Sequence, residues 1–306
     1  MRLPLVCLTL LLATGALPAR AEPIKLKAAD GIPIYAEVWR APDRPDGSKP
    51  PVIIAFHQAG SNHAEYAPIA PRLVAAGFTV LAIDQRAGGE MFGTPNRTVA
   101  AINGDTLGTY GRPAPGGDAS GTPGRPGTAP EGNSFGTTNP PPNATKFGIP
   151  ERAAVMSGSP TGFRAVLPDL EAALLWGHQA AAGAPVIAMG SSYSAALVFL
   201  LAARHPGALA ALVAFSPGEY LDGPSVVHDA AERVEIPVLV DSAKAPDEIA
   251  AAKSLLDAVP GAGKVQIVPR SGGVHGASTL RADKDPAGAE ENWRGLLAFL
   301  APFAKP

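Results

Sequence analysis

Five residues, four of them small, Gly190-Ser191-Ser192-Tyr193-Ser194, stand between two apolar runs. Before them, Pro185 to Met189 has strand character; after them, Ser194 to Arg204 is Ala/Leu-rich and is stopped by His205-Pro206. A strand that reverses into a helix over so few residues strains the backbone at the middle of the turn and lifts that side chain above the sheet edge. The helix aims its positive end and first-turn N–H groups at the same point. Ser192 thus has the position of a nucleophile. Its hydroxyl could attack an acyl carbonyl once a base takes the proton, with backbone N–H groups receiving the charge that develops on oxygen. The plainer reading of these residues is a helix start with Ser191 or Ser192 as N-cap. The first reading needs a base, and the sequence holds six histidines.

The elements around this turn read as alternating strands and helices. Ile24 to Trp39 alternates apolar residues on both sides of Asp30-Gly31, a hairpin signal. Pro51 to Phe56 and Phe78 to Ile83 are apolar on both faces, as strands of a parallel sheet are. A helix is expected from about Ala64 to Ala76, ended by Gly77. Further helices are expected over Phe163–Ala182, Pro246–Val259 and Trp293–Phe303, and strands over Leu209–Phe215, Ile236–Val240 and Val265–Val268. A hairpin followed by strand–helix units predicts an α/β fold, a twisted, mostly parallel sheet with helices on both faces. One stretch breaks the pattern. Residues 101–150 hold 11 Gly and 9 Pro, so a disordered insertion is expected over about 97–160, with an ordered lid over the substrate as the alternative, interrupting a single domain that spans 22–306.

Residues 1–21 read as a secretory signal peptide: Arg2, an apolar run from Leu3 to Leu12, and Ala19-Arg-Ala21 before Glu22. The expected product is periplasmic or secreted, with no stable membrane anchor because the apolar run is too short to span a bilayer. Cys7, the only cysteine, lies inside this leader, which removes disulfides, thiolate metal sites and a cysteine nucleophile from the mature chain. The leader also carries Arg2 and Arg20, so its loss takes the formal charge from −2 to −4, and no basic stripe remains for nucleic acid. No G-x-G-x-x-G opens a helix after a strand and no P-loop occurs, so no cofactor is expected. No His/Asp/Glu cluster has metal-ligand spacing.

The turn Gly190-x-Ser192-x-Ser194 resembles the nucleophile elbow of the α/β-hydrolases, G-x-S-x-G, with Ser194 in place of the second glycine. The chain is most similar in character to the dienelactone-hydrolase-like branch of that superfamily, over residues 24–96 and 161–303. The branch's namesake uses a cysteine nucleophile, where this sequence has Ser192. The resemblance implies a catalytic order of serine, acid, histidine along the chain. His275, in the glycine-rich loop Arg270-Ser-Gly-Gly-Val-His275-Gly-Ala after the last strand, then becomes the base. The acid should follow the strand ending at Val240, where Asp247 is the first choice, Glu248 the second, and Asp241 stands close to the strand end. The oxyanion donors it implies are the backbone N–H groups of Tyr193 and Gln58, the latter in His57-Gln58-Ala59-Gly60. His57 is expected to buttress that loop, His205 to sit at a helix end and His63 at the surface. His178 and His228 join no constellation.

These residues together imply an exported serine hydrolase that cleaves small carboxylic esters or lactones through an acyl-enzyme, without metal or cofactor. A serine peptidase is a lesser alternative. A non-catalytic protein of the same fold, binding a ligand or partner, is the alternative from another class.

Overall fold

A computed structural model of the chain describes residues 20–86 and 164–305. The insertion expected over about 97–160, and all of the leader except Arg20 and Ala21, lie outside the described residues. In chain order the elements are β1 (Ala21–Lys27), β2 (Pro33–Trp39), β3 (Val52–Phe56), α1 (Ala70–Ala75), β4 (Thr79–Ile83), α2 (Leu167–Ala181), β5 (Val186–Ser191) and α3 (Tyr193–Arg204). They continue with β6 (Ala211–Phe215), α4 (Val226–Ala231), β7 (Val238–Asp241), α5 (Pro246–Ala258), β8 (Lys264–Ile267) and α6 (Ala289–Ala304). Short 3₁₀ turns occupy His63–Glu65 and Gly276–Leu280.

All eight strands form one sheet in the order β1-β2-β4-β3-β5-β6-β7-β8. The hairpin β1–β2 is antiparallel and β2 meets β4 antiparallel; every other pairing is parallel. Each residue of β3, β4, β5, β6 and β7 is buried, as the two-sided apolar runs require. One face of the sheet packs against α2, α3, α4 and α5. The other packs against α1 and α6, through Ile69, Leu73, Trp293, Leu296 and Leu300. Burying each such side chain is worth about 1.5–3 kcal/mol.

Two local expectations are corrected. The helix expected over Ala64–Ala76 is broken into the 3₁₀ turn and the six-residue α1, because Pro68 and Pro71 have no N–H for an unbroken helical ladder. The last helix begins at Ala289, a turn earlier than Trp293, with Glu290 and Glu291 in its first turn where acids oppose the helix dipole.

What matters for chemistry is the centre of the sheet. The chain leaves β3 toward β4 on one side, whereas β5 lies on β3's other side. The loops after β3 and β5 therefore part at this switch in strand order, and a crevice opens outside the strand ends. The registers Phe56↔Gly190 and Ser191↔Phe215 bring three loops to that edge.

Candidate active site

The turn after β5 is as tight as its residues suggest. A Cβ on Gly190 would come within 2.4 Å of the Ser194 carbonyl oxygen and 2.8 Å of the Ala195 nitrogen, so only glycine fits there. Ser192 is held at φ 57°, ψ −122°, a left-handed conformation that costs a non-glycine residue of order 1–3 kcal/mol. Its N–H donates to the Phe215 carbonyl at 2.9 Å, and its own carbonyl accepts the Ala195 N–H at 2.8 Å. Although Ser192 stands at the N-cap position, its side chain makes no capping bond. The hydroxyl instead lies 2.8 Å from Nε2 of His275. The plain helix-start reading therefore fails for Ser192. Ser191 does not cap either: its Oγ accepts the Ala277 N–H at 2.9 Å and ties the histidine loop to the elbow.

His275 is presented by a loop that several side chains pin. The Gly276 N–H donates to Ser216 Oγ at 3.0 Å. Gly276 has φ 71°, and a Cβ there would meet Ser191 Oγ at 2.6 Å and Gln58 Oε1 at 2.8 Å. Only glycine lets the chain pass between those groups. The imidazole side chain is 43% exposed, so a substrate can reach it from solvent.

The acid that meets His275 is Glu248, with Oε1 at 3.0 Å from Nδ1. Its other oxygen accepts the Ala243 N–H at 3.3 Å, and the Ser216 hydroxyl reaches the same carboxylate. Burial pushes this carboxyl up, but the bonds from His275 and Ser216 outweigh it and hold the group below the usual carboxylate range. The first choice, Asp247, is exposed on the same first turn of α5. Adjacent helical residues point about 100° apart, so only one of the two can face His275. Asp241 is buried at the end of β7, and both of its carboxylate oxygens are without a hydrogen-bond partner among the described residues. Burial, with Asp285 nearby, lifts it well above the usual range toward the neutral acid.

The N–H expected as the second donor, that of Gln58, is occupied in this fold. The Gln58 N–H is taken by Oε2 of Glu65 at 2.9 Å. The next N–H, of Ala59, makes no hydrogen bond among the described residues. Tyr193, the other expected donor, opens α3, and first-turn N–H groups have no acceptor within their own helix. His57 is fully buried and does buttress the loop. Its Nδ1–H donates to the Gln58 carbonyl at 2.7 Å and its Nε2 accepts the Gln85 N–H at 3.3 Å. Burial holds its pKa down at about 4, so the ring is neutral.

Glu65 and Gln85 are site residues that sequence reasoning missed. Each lies in a polar stretch just past a buried strand: Gln85 stands between Asp84 and Arg86 after β4, and Glu65 lies in the turn after the Gln58 loop. His63, expected at the surface, is buried between Asp84 Oδ1 at 2.6 Å and Glu37 Oε1 at 3.3 Å. Among the described residues no group of three or more His, Cys, Asp or Glu could hold a metal ion, and no helix is long and apolar enough to cross a membrane.

The profile of the dienelactone hydrolase family matches residues 40–304. Among solved structures, the chain is similar to a dienelactone hydrolase of Anabaena variabilis, with a TM-score of 0.58 at 12% identity over 94% of this chain and 100% of that one. It is similar to an esterase of Pyrococcus furiosus, with a TM-score of 0.54 at 15% identity over 94% and 93%. An acylaminoacyl peptidase of Pyrococcus horikoshii matches with a TM-score of 0.56 at 10% identity, over 94% of this chain and 42% of that one. At these identities the structures speak for the α/β-hydrolase fold. No curated protein matches the sequence.

Proposed function

We propose, from the premise that this chain belongs to the dienelactone hydrolase family, that it is a serine hydrolase cleaving small carboxylic esters or lactones through an acyl-enzyme. One observation carries the reading: an unbroken hydrogen-bonded run from Ser192 Oγ through His275 to Glu248, starting at a strained residue whose hydroxyl makes no capping bond. A serine nucleophile needs a base in hydrogen-bond reach, and backbone strain of this kind clusters at active sites.

In this mechanism Nδ1–H of His275 donates to Glu248, which leaves Nε2 free to accept the Ser192 proton. The Ser192 oxygen bonds to the acyl carbon as Nε2 takes that proton. The carbonyl oxygen becomes an oxyanion, stabilised by the N–H groups of Tyr193 and Ala59. The intermediate collapses, the imidazolium returns its proton to the leaving alkoxide, and the alcohol departs. Water, deprotonated by His275, then attacks the acyl carbon, and the imidazolium returns that proton to the Ser192 oxygen as its bond to the acyl carbon breaks and the acid leaves. Glu248 stabilises the imidazolium in both halves.

The test is fluorophosphonate labelling of the mature protein, read by intact mass, together with turnover of p-nitrophenyl acetate. One adduct and measurable turnover are expected in the wild type, and neither in Ser192→Ala. An adduct retained in Ser192→Ala would remove Ser192 from its role. A folded wild type that takes no label would favour the non-catalytic binding protein.

A further inference from the structure

The elbow departs from its usual pattern at Ser194, and the departure has a physical use. Ser194 is the second residue of α3 and fully buried. Its Oγ–H donates to the His57 carbonyl at 2.6 Å, and its Oγ accepts from Gln85 Nε2 at 2.5 Å. The same Gln85 nitrogen approaches the His57 carbonyl only at 3.4 Å. The carbonyl of His57 and the N–H of Gln58 belong to one peptide plane. Ser194 holds its oxygen end and Glu65 holds its N–H end at 2.9 Å. A peptide unit is rigid and planar, so gripping both ends sets its rotation about the chain.

The plane that follows starts from that fixed point, is turned from it by φ and ψ of Gln58, and is held in turn at its own oxygen. Its oxygen, of Gln58, accepts His57 Nδ1–H at 2.7 Å and the Ser61 N–H at 3.1 Å. Its N–H, of Ala59, is the one left without a partner among the described residues. We propose that Ser194 is a positioning residue: its hydroxyl replaces the usual glycine in order to lock the His57–Gln58 peptide and so pre-aim the Ala59 N–H at the oxyanion. The proposal rests on the serine-hydrolase reading above. A glycine at 194 could not make this bond. A side chain is tolerated there because the close strand–helix approach is at Gly190, whose missing Cβ faces the backbone of Ser194 and Ala195.

The experiment compares wild type with Ser194→Gly and Ser194→Ala. It measures kcat and KM for p-nitrophenyl acetate, the inhibition constant of phenylboronic acid (whose serine adduct places an oxygen in the oxyanion position) and Tm. Removing an oxyanion donor outright costs about 10²- to 10³-fold in kcat, so misaiming one should cost about 10- to 100-fold. Both variants should lose kcat and boronic acid affinity in parallel at that level, with KM within threefold of wild type. Ala and Gly differ in helix propensity, so a merely structural role would separate the two variants and follow Tm. A kcat within twofold of wild type in Ser194→Gly, or losses that track Tm, would overturn the proposal.

Should neither variant fold, Glu65→Ala releases the other end of the same plane and should show the same signature, restored in Glu65→Gln, which keeps an acceptor there. An Ala variant with unchanged kcat would equally overturn it. Failure of the hydrolase reading is distinguishable, since the wild type would then take no fluorophosphonate label at Ser192 at all.

Discussion

Replacing Glu248 by Gln removes one charge and little volume, and the geometry of its carboxylate sets the cost. In the proposed mechanism His275 becomes an imidazolium beside Glu248 in the transition state. A charge pair about 4 Å apart at an effective dielectric near 20 is worth about 4 kcal/mol. The His275 and Glu248 side chains are 43% and 21% exposed, so solvent screens the pair. Halving the interaction for that screening leaves about 2 kcal/mol, or about 30-fold in rate. That figure is a floor, because Glu248 uses both oxygens. One accepts from His275 Nδ1 and the other from the Ala243 N–H. Glutamine has a single oxygen. If Ala243 retains it, the amide NH₂ faces Nδ1 and forces the tautomer whose Nε2 carries a hydrogen and cannot accept the Ser192 proton. Loss of the correct tautomer in a serine triad costs about 10⁴-fold. Glu248→Gln should therefore lower kcat for p-nitrophenyl acetate by about 30-fold to 10⁴-fold with Tm nearly unchanged. Asp247→Asn, at the exposed neighbour, should stay within about twofold. A Glu248→Gln enzyme within threefold of wild type would refute the argument, as would an Asp247→Asn variant with an equal loss.

Stability should fall in mild alkali through His63. Burial opposes its charge, but the bonds to Asp84 and Glu37 prevail and raise its pKa to about 9. A pKa higher in the folded state than in the unfolded chain means the contribution is complete below about pH 6.5 and is lost as pH rises through 9. The loss is of order 3 kcal/mol, and Tm measured from pH 6 to pH 10 should decline in wild type and be flatter in His63→Asn; parallel curves would exclude this staple. Export predicts a mature N-terminus at Glu22, checked by N-terminal sequencing of protein from the periplasm of an expressing Gram-negative host. Retention of Met1 in all of the protein would dismiss the leader.

The alternation of two-sided apolar runs with amphipathic helices was enough to specify the parallel sheet and its hairpin, because burial on both faces leaves an unmistakable composition. The elbow was equally legible: Gly190 and Ser192 are local, and a tight turn restricts residue type within a few positions. His275 was singled out through the order of functional groups along a familiar chain pattern, and the fold sets its Nε2 2.8 Å from Ser192 Oγ. Beyond that, local information ended. Asp247 and Glu248 are adjacent and chemically alike, and only the rotation of α5 against the histidine loop chooses between them. The Gln58 N–H is claimed by Glu65, seven residues downstream, which leaves the Ala59 N–H as the one without a partner among the described residues. Ser194 looked like a mere deviation until the fold brought the His57 carbonyl, 137 residues earlier in the chain, to its hydroxyl. His63 read as a surface residue because its partners, Glu37 on β2 and Asp84 just past the end of β4, belong to strands that become neighbours only in the sheet. Residue type and periodicity set what could be buried and what could react; which polar groups satisfy one another is a property of long-range packing, and the tertiary structure alone decides it.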